Sequence, residues 1–183
     1  MPSDMYMNRN LKIFLTNGIP IGIFMGILYS ALYGLYAGLI SGLSTGLIFG
    51  FLMFMILGVL HSRAVKTLAG ENTVEAMETC QVRNIKLQLP YDRTFDLCME
   101  SLNMMSRCNV RQEDRSQGKI IARSSINWKT WGDTISFDIE RTNDEYTNIK
   151  VSSRPTSWTT LVDYGKNLEN VQKIAAFLVN RQG

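Results

Sequence analysis

The sequence contains little histidine and cysteine. Its 183 residues include one histidine, His61, and three cysteines, Cys80, Cys98 and Cys108, with no Cys-x-x-Cys spacing. A structural zinc site or a disulfide framework needs several such residues at defined spacings, so neither is expected. Reduced thiols are typical of a cytosolic domain. We therefore predict no metal and no cofactor.

Short catalytic motifs are also missing. The chain has no Gly-x-Ser-x-Gly, P-loop or His-Glu-x-x-His sequence, the patterns that position a nucleophile, a phosphate group or a zinc ion. Neighbouring carboxylates such as Asp138 and Glu140 alternate with apolar residues, which predicts that they face water on a strand. From these absences we predict no catalytic residues and a protein that is not an enzyme.

Charge is absent from one long stretch of the chain. Between Ile13 and Leu60 there is no Asp, Glu, Lys, Arg or His, whereas about 20 apolar helical residues suffice to cross a bilayer. At ~1.5 Å per residue, one helix of this length would exceed twice the ~30 Å hydrocarbon core. The run is therefore predicted to fold as a hairpin of two transmembrane helices, 13–32 and 37–60, with its turn in 31–36.

Basic residues flank that apolar run on both sides. Arg9, Lys12, Arg63 and Lys66 lie beside it, and the turn has none. Since cytoplasmic loops carry an excess of Lys and Arg, we predict a bacterial inner-membrane protein with both termini cytoplasmic and residues 1–12 as an N-terminal tail. The net charge of +3 lies beside the bilayer. The balanced remainder is not expected to bind a nucleic-acid polymer.

Small residues recur at every fourth position of the run. Glycine opens five successive tetrads from Gly34 to Met53, GLYA GLIS GLST GLIF GFLM. Glycine lets helix backbones approach closely, and a period of four favours a right-handed crossing of about −40°. This pattern predicts a glycine zipper. Its predicted packing and oligomer interface comprises Gly18, Gly22, Gly26, Gly34, Gly38, Gly42, Gly46 and Gly50.

The partner of this glycine register is left open by the sequence. The two helices can pack on each other within one hairpin, and the second can also meet further copies in a homo-oligomer surrounded by membrane lipids. Ser41, Ser44 and Thr45 are then candidate pore-lining residues of a channel gated by its cytoplasmic domain. Since ionisable residues are absent, a conventional charged filter is not expected. The alternative function is a membrane-anchored module that binds a ligand or a protein partner without conduction.

The residues after Leu60 follow other patterns. A connector helix is predicted over 61–81, and 82–183 are predicted to form a cytoplasmic α+β domain, β-α-β-β-β-β-α, with an antiparallel sheet and two helices. Asp92 and Asn167 are expected to cap the helices. This order resembles small helix-grip and β-α-β sensor modules. The predicted strands are 85–89, 110–115, 120–125, 134–141 and 146–153, with a further short strand at 159–162.

Tryptophans and basic residues mark one candidate surface of this domain. Two tryptophans three positions apart on a predicted turn are typical of a docking surface for a small molecule or a partner, although such rings can instead cover the open end of a sheet. A helix start near Lys166 offers free N–H groups to an anion, unless it is an ordinary strand-to-helix turn. The candidate surface comprises Trp128, Lys129, Trp131, Arg154, Trp158 and Lys166.

Overall fold

The computed structural model describes residues 9–69, 78–105, 107–126, 130–157 and 160–181. The chain falls into two compact units, Met1–Arg63 and Ala64–Gly183. Most of the predicted N-terminal tail, residues 1–8, lies outside the described residues. So do residues 70–77 of the predicted connector helix.

Two long helices account for the first unit. Helix α1 comprises Arg9–Tyr33, and α2 comprises Leu35–Ala69, whose last turns belong to the second unit. Gly34 separates them with a φ of 90°, a left-handed conformation that glycine adopts without strain. Leu11–Tyr33 and Leu35–Leu68 are, by length and composition, candidate membrane spans. Only 11% and 6% of the most apolar 18-residue stretch of each helix is buried.

Glycines of α1 and α2 face one another. A Cβ atom added to Gly22 would lie 2.8 Å from Gly42 O, and one added to Gly18 would lie 2.6 Å from Gly46 O. Side chains do not fit at such distances, so this approach of the backbones requires glycine. The two glycine rows therefore pack on each other within one chain. Their contact with other copies stays a prediction.

Five strands form one antiparallel sheet in the second unit. The sheet order is β1-β5-β4-β3-β2. Helix α3 (Tyr91–Asn103) follows β1, and α4 (Lys166–Asn180) follows β5. The predicted antiparallel sheet with two helices is confirmed. The strands are β1 (Gln81–Leu87), β2 (Cys108–Asp114), β3 (Lys119–Ser124), β4 (Asp133–Arg141) and β5 (Thr147–Pro155).

One face of the sheet supplies the apolar core. In β4, Ile135, Phe137 and Ile139 are buried, whereas Asp138 and Glu140 between and beyond them are exposed. Burial of the apolar face against α3 and α4 removes it from water, which is the main favourable term in folding. The other members of the core include Leu87, Phe95, Leu97, Leu102, Ile120, Ile149, Val151, Val171, Ile174 and Leu178.

The last turns of α2 pack within the second unit on the start of α4. Gln172 Nε2 donates a hydrogen bond of 3.1 Å to Leu68 O. A Cβ atom on Gly165 would lie 2.8 Å from Leu68 Cδ1. The bond from Gln172 satisfies one of the carbonyls that the end of a helix leaves without an internal partner.

Two local predictions are wrong. Residues 160–162 form no strand, and the preceding residue 159 lies outside the described residues. Pro90, without a side-chain bond, occupies the N-cap position of α3, where Asp92 was expected. Asp92 lies instead in the first turn and forms an ion pair of 3.5 Å with Arg115. An acidic residue in the first turn is also favourable because of the helix dipole.

Candidate functional site

Buried polar residues collect at one end of the core, where β4 begins and β5 ends. The side chains of Asp133 and Ser153 lie on the face of the sheet that packs on the helices, in register with its apolar residues. All are less than 2% exposed. We call this set the polar cluster: Asp133 of β4, Ser153 of β5, Asp163 of the following loop, and Asn167 and Asn170 of α4.

The polar cluster forms one continuous chain of hydrogen bonds. Ser153 Oγ donates to Asn167 Oδ1 at 2.6 Å and accepts from Asn170 Nδ2 at 3.2 Å. Asn170 Nδ2 also donates to Asp133 Oδ2 at 3.2 Å. At the other end, Asn167 Nδ2 donates to Asp163 Oδ2 at 2.9 Å. The chain therefore links two strands, a loop and a helix.

Asp163 holds the loop that starts α4. Its Oδ1 accepts from Gly165 N at 3.2 Å and its Oδ2 from Asn167 N at 3.0 Å. Tyr164 and Gly165 have φ values of 52° and 73°, and the left-handed region is unfavourable for a tyrosine. The predicted cap, Asn167, is wrong: Asp163 satisfies the free N–H groups, and the side chain of Asn167 is buried in the polar cluster.

Burial controls the ionisation of Asp133. Loss of water raises the pKa of this carboxyl above its usual value, and the negative charge of Asp163 adds to the rise. Hydrogen bonds from Thr130 and Asn170 and the positive charge of Lys166 act in the opposite direction. Lys166 is itself paired with Glu169 at 3.4 Å. The polar cluster therefore places two carboxyl groups, Asp133 and Asp163, in one buried network.

Three buried side-chain oxygens of the second unit have no hydrogen-bond partner among the described residues. They are Asp133 Oδ1, Asn170 Oδ1 and Thr160 Oγ1. Nearly all buried polar atoms in proteins have a partner, and an unsatisfied one costs about 1–3 kcal/mol. Asp133 and Asn170 are joined by a hydrogen bond. Their remaining oxygens therefore offer two acceptors to a molecule that can donate.

Of the predicted tryptophan surface, the structure describes Trp131, Arg154 and Lys166. Trp131 is 68% exposed. Arg154 is exposed and pairs in register with Thr134, on the sheet face opposite the polar cluster. Lys166 adjoins the polar cluster at the start of α4. Trp128, Lys129 and Trp158 lie outside the described residues, so a docking surface there stays a prediction.

In the first unit, an open groove of about 960 Å³ follows the glycine rows. Gly38, Gly42, Gly46 and their counterparts in α1 form its floor, with leucine and isoleucine walls. Gly50 lies against Phe14, and Gly34 has no atom within 4 Å of its Cβ position. Among the candidate pore-lining residues, Ser41 and Thr45 are half-buried, and the exposed Ser44 donates to Ile40 O of its own helix at 2.8 Å.

Sequence reasoning missed Asp133, Ser153 and Asn170. A signal for the first two was present, because the apolar alternation of β4 and β5, extended by two positions, reaches Asp133 and Ser153. In α4, Asn167 and Asn170 lie four positions before Val171 and Ile174, on the same buried side of the helix. Polar residues at inward positions mark such a site.

This chain is similar to several solved structures. No family model matches the chain, and no curated protein matches it. The di-domain aromatase/cyclase BexL of the BE-7585A biosynthetic pathway is 10% identical, with a TM-score of 0.43 over 55% of this chain and 45% of that one. The chain thus spans less than half of BexL.

Two further solved structures are similar. The Zhui aromatase/cyclase of Streptomyces sp. R1128 is 10% identical, with a TM-score of 0.40 over 56% of this chain and 92% of that one. A START superfamily protein of Mycobacterium smegmatis is 9% identical, with a TM-score of 0.41 over 56% and 96%.

The two aromatase/cyclases contradict the prediction that this chain is not an enzyme, and we withdraw that prediction. It rested on the absence of short catalytic motifs. A buried polar site built from two strands, a loop and a helix leaves no such motif in the sequence, so the absence was poor evidence.

Replacement of Ser153 by alanine should destabilise the second unit. Asn167 Oδ1 and one N–H of Asn170 would lose their partner in a buried site, at a cost of about 1–3 kcal/mol each. Ser152→Ala is the matched control, because Ser152 Oγ bonds Ser136 Oγ at 2.7 Å on the opposite, partly exposed face. Urea unfolding of the full chain in mild detergent measures both. Equal losses in the two variants would contradict a special role for Ser153.

Replacement of Asp133 by asparagine should stabilise the fold at neutral pH. The raised pKa of Asp133 means that, between its unfolded and folded values, the folded chain binds more protons, so wild-type stability increases as the pH falls. The gain from Asp133→Asn should therefore shrink on acidification. Asp138→Asn, at an exposed site on the same strand, is the control for the loss of one carboxylate from β4. A loss of stability that is independent of pH would contradict this account.

Proposed function

We propose that the protein is a membrane-anchored binding module whose second unit holds a small molecule at the polar cluster. The observation that carries this proposal is the pair of buried acceptors, Asp133 Oδ1 and Asn170 Oδ1, which have no donor among the described residues. The helical hairpin would serve as the anchor. A membrane location, cytoplasmic termini and the bacterial inner membrane are parts of the same proposal.

The exposed surface of α1 and α2 supports the anchor. Ile27, Leu39 and Leu43 are 67%, 64% and 68% exposed, and they belong to apolar faces that extend along both helices. Contiguous apolar surface of this extent is rare on soluble monomers and marks a contact with a membrane or another protein. Since the two helices are long enough to cross a bilayer, lipid would cover this surface.

The chemistry of the polar cluster supports a binding role. A buried carboxylate with an unused oxygen reduces stability, because its lost hydration is not fully replaced. Apolar residues of similar volume at Asp133 and Asn170 would extend the core without that cost. Locally unfavourable choices of this kind are expected at functional sites.

Native mass spectrometry of the full chain, purified from membranes in mild detergent, tests the proposal. We expect a bound small molecule that is retained by Asn148→Ala, an exposed position on β5, and lost in Asn170→Ala. The chain should also stay in the membrane fraction after alkaline carbonate washing. Release by carbonate would overturn the anchor. A wild-type protein that carries no small molecule and takes up none from a membrane extract would overturn the binding role.

A second candidate function is a homo-oligomer joined by a glycine zipper, with conduction as its further step. The groove beside the glycine rows favours it, because this groove is apolar, is lined by Leu43 and neighbouring residues, and is open along the glycines. A helix from another copy would bury this surface. Ser41, Ser44 and Thr45 would then line the proposed channel, and the second unit would gate it.

The particle mass in mild detergent, measured by light scattering, distinguishes this candidate. Gly42→Leu is unsuitable alone, because Gly42 also contacts Gly22 within the chain. Leu43→Trp would fill the groove instead, and Ile48→Trp is the control, since Leu43 and Ile48 are 68% and 69% exposed and only Leu43 lines the groove. A discrete oligomer lost only in Leu43→Trp is expected. A monomeric wild type would rule the oligomer out.

A further inference from the structure

Building on the proposed function, we infer that the polar cluster binds a small monovalent cation that donates hydrogen bonds, of the ammonium or primary-amine class. The geometry points to this class because Asp133 and Asn170 offer acceptors only. Three properties of the polar cluster carry the argument: its unused groups, its charge and its burial.

The donors beside the free oxygens are already used. The two N–H groups of Asn170 are accounted for by Asp133 Oδ2 and Ser153 Oγ, and the hydroxyl of Ser153 donates to Asn167 Oδ1. A side-chain amide has two donors and a hydroxyl has one. An anion or a carbonyl group placed there would meet acceptors, and its own acceptors would stay unsatisfied.

The charge of the polar cluster favours a cation. Asp133 and Asp163 are both buried carboxylates. The positive charge of Lys166 acts on Asp133, and Lys166 is also paired with Glu169 at 3.4 Å, so two carboxylates share its charge. An ammonium group would satisfy Asp133 Oδ1 with a charge-assisted hydrogen bond, which is roughly twice as strong as a neutral one.

Burial limits the size of the group that enters. The free oxygens of Asp133 and Asn170 are sealed from solvent, so the occupying group must be small, and an ammonium group is close to a water molecule in size. Water is the competing occupant, since buried waters commonly satisfy such atoms. A neutral water molecule would donate to these oxygens but would add no positive charge beside Asp133.

Thermal unfolding of the full chain in detergent tests this assignment with four chloride salts at equal ionic strength. Ammonium and methylammonium donate hydrogen bonds, potassium has similar size and charge without donors, and tetramethylammonium has charge alone. We expect a saturable rise of the unfolding midpoint with the first two only, because a ligand that binds the folded state stabilises it in proportion to ln(1 + [L]/Kd). Asp133→Asn should abolish the rise, and Asp138→Asn should keep it.

Each other outcome overturns the inference. An equal rise with potassium would indicate coordination of a metal ion by oxygen. A rise with tetramethylammonium would indicate screening of surface charge. The absence of any response would exclude an ammonium or primary-amine ligand at the polar cluster. If the salts have no effect while Asn170→Ala loses another bound molecule in mass spectrometry, the inference fails and the proposed function stands. If the salts have no effect and mass spectrometry detects no bound molecule, both the inference and the proposed binding role fail.

Discussion

The arrangement of the second unit depends on one hydroxyl group, Ser153 Oγ. It donates to Asn167 and accepts from Asn170, and so it connects β5 to the first turns of α4. Through these two amides it also reaches Asp163 and Asp133. Because the donors and acceptors at this hydroxyl are fixed by geometry, α4 cannot shift by one residue along the sheet without breaking several buried bonds.

Local patterns in the sequence were sufficient to predict most of the secondary structure. The alternation of Ile135, Phe137 and Ile139 marks β4, since successive side chains of a strand point to opposite faces. The left-handed turn at Gly34 falls inside the predicted segment 31–36, because only glycine adopts that conformation freely. These features depend on neighbouring residues, and neighbouring residues are what a single sequence displays.

The polar cluster could not be predicted in the same way. Asp133 and Asn170 are 37 positions apart in the chain, and their contact follows from the register between β4 and β5 and from the side of α4 that is buried. The alternation of strand side chains places Asp133 and Ser153 on the inner face of the sheet, but it does not reveal which helix residues they contact. The withdrawn prediction that the chain is not an enzyme has the same origin, because it treated a site as a run of adjacent residues.

Both units contain residues that are locally unfavourable. Each glycine in a helix interior costs about 1 kcal/mol relative to alanine, and the close approach of Gly22 to Gly42 within the hairpin gives that choice a structural reason. A buried carboxylate is also unfavourable, yet Asp133 keeps one oxygen without a partner among the described residues. Folding accounts for the glycines and leaves the carboxylate oxygen unexplained. A ligand that donates a hydrogen bond to this oxygen would give the buried carboxylate of Asp133 a structural reason, as helix packing does for Gly22.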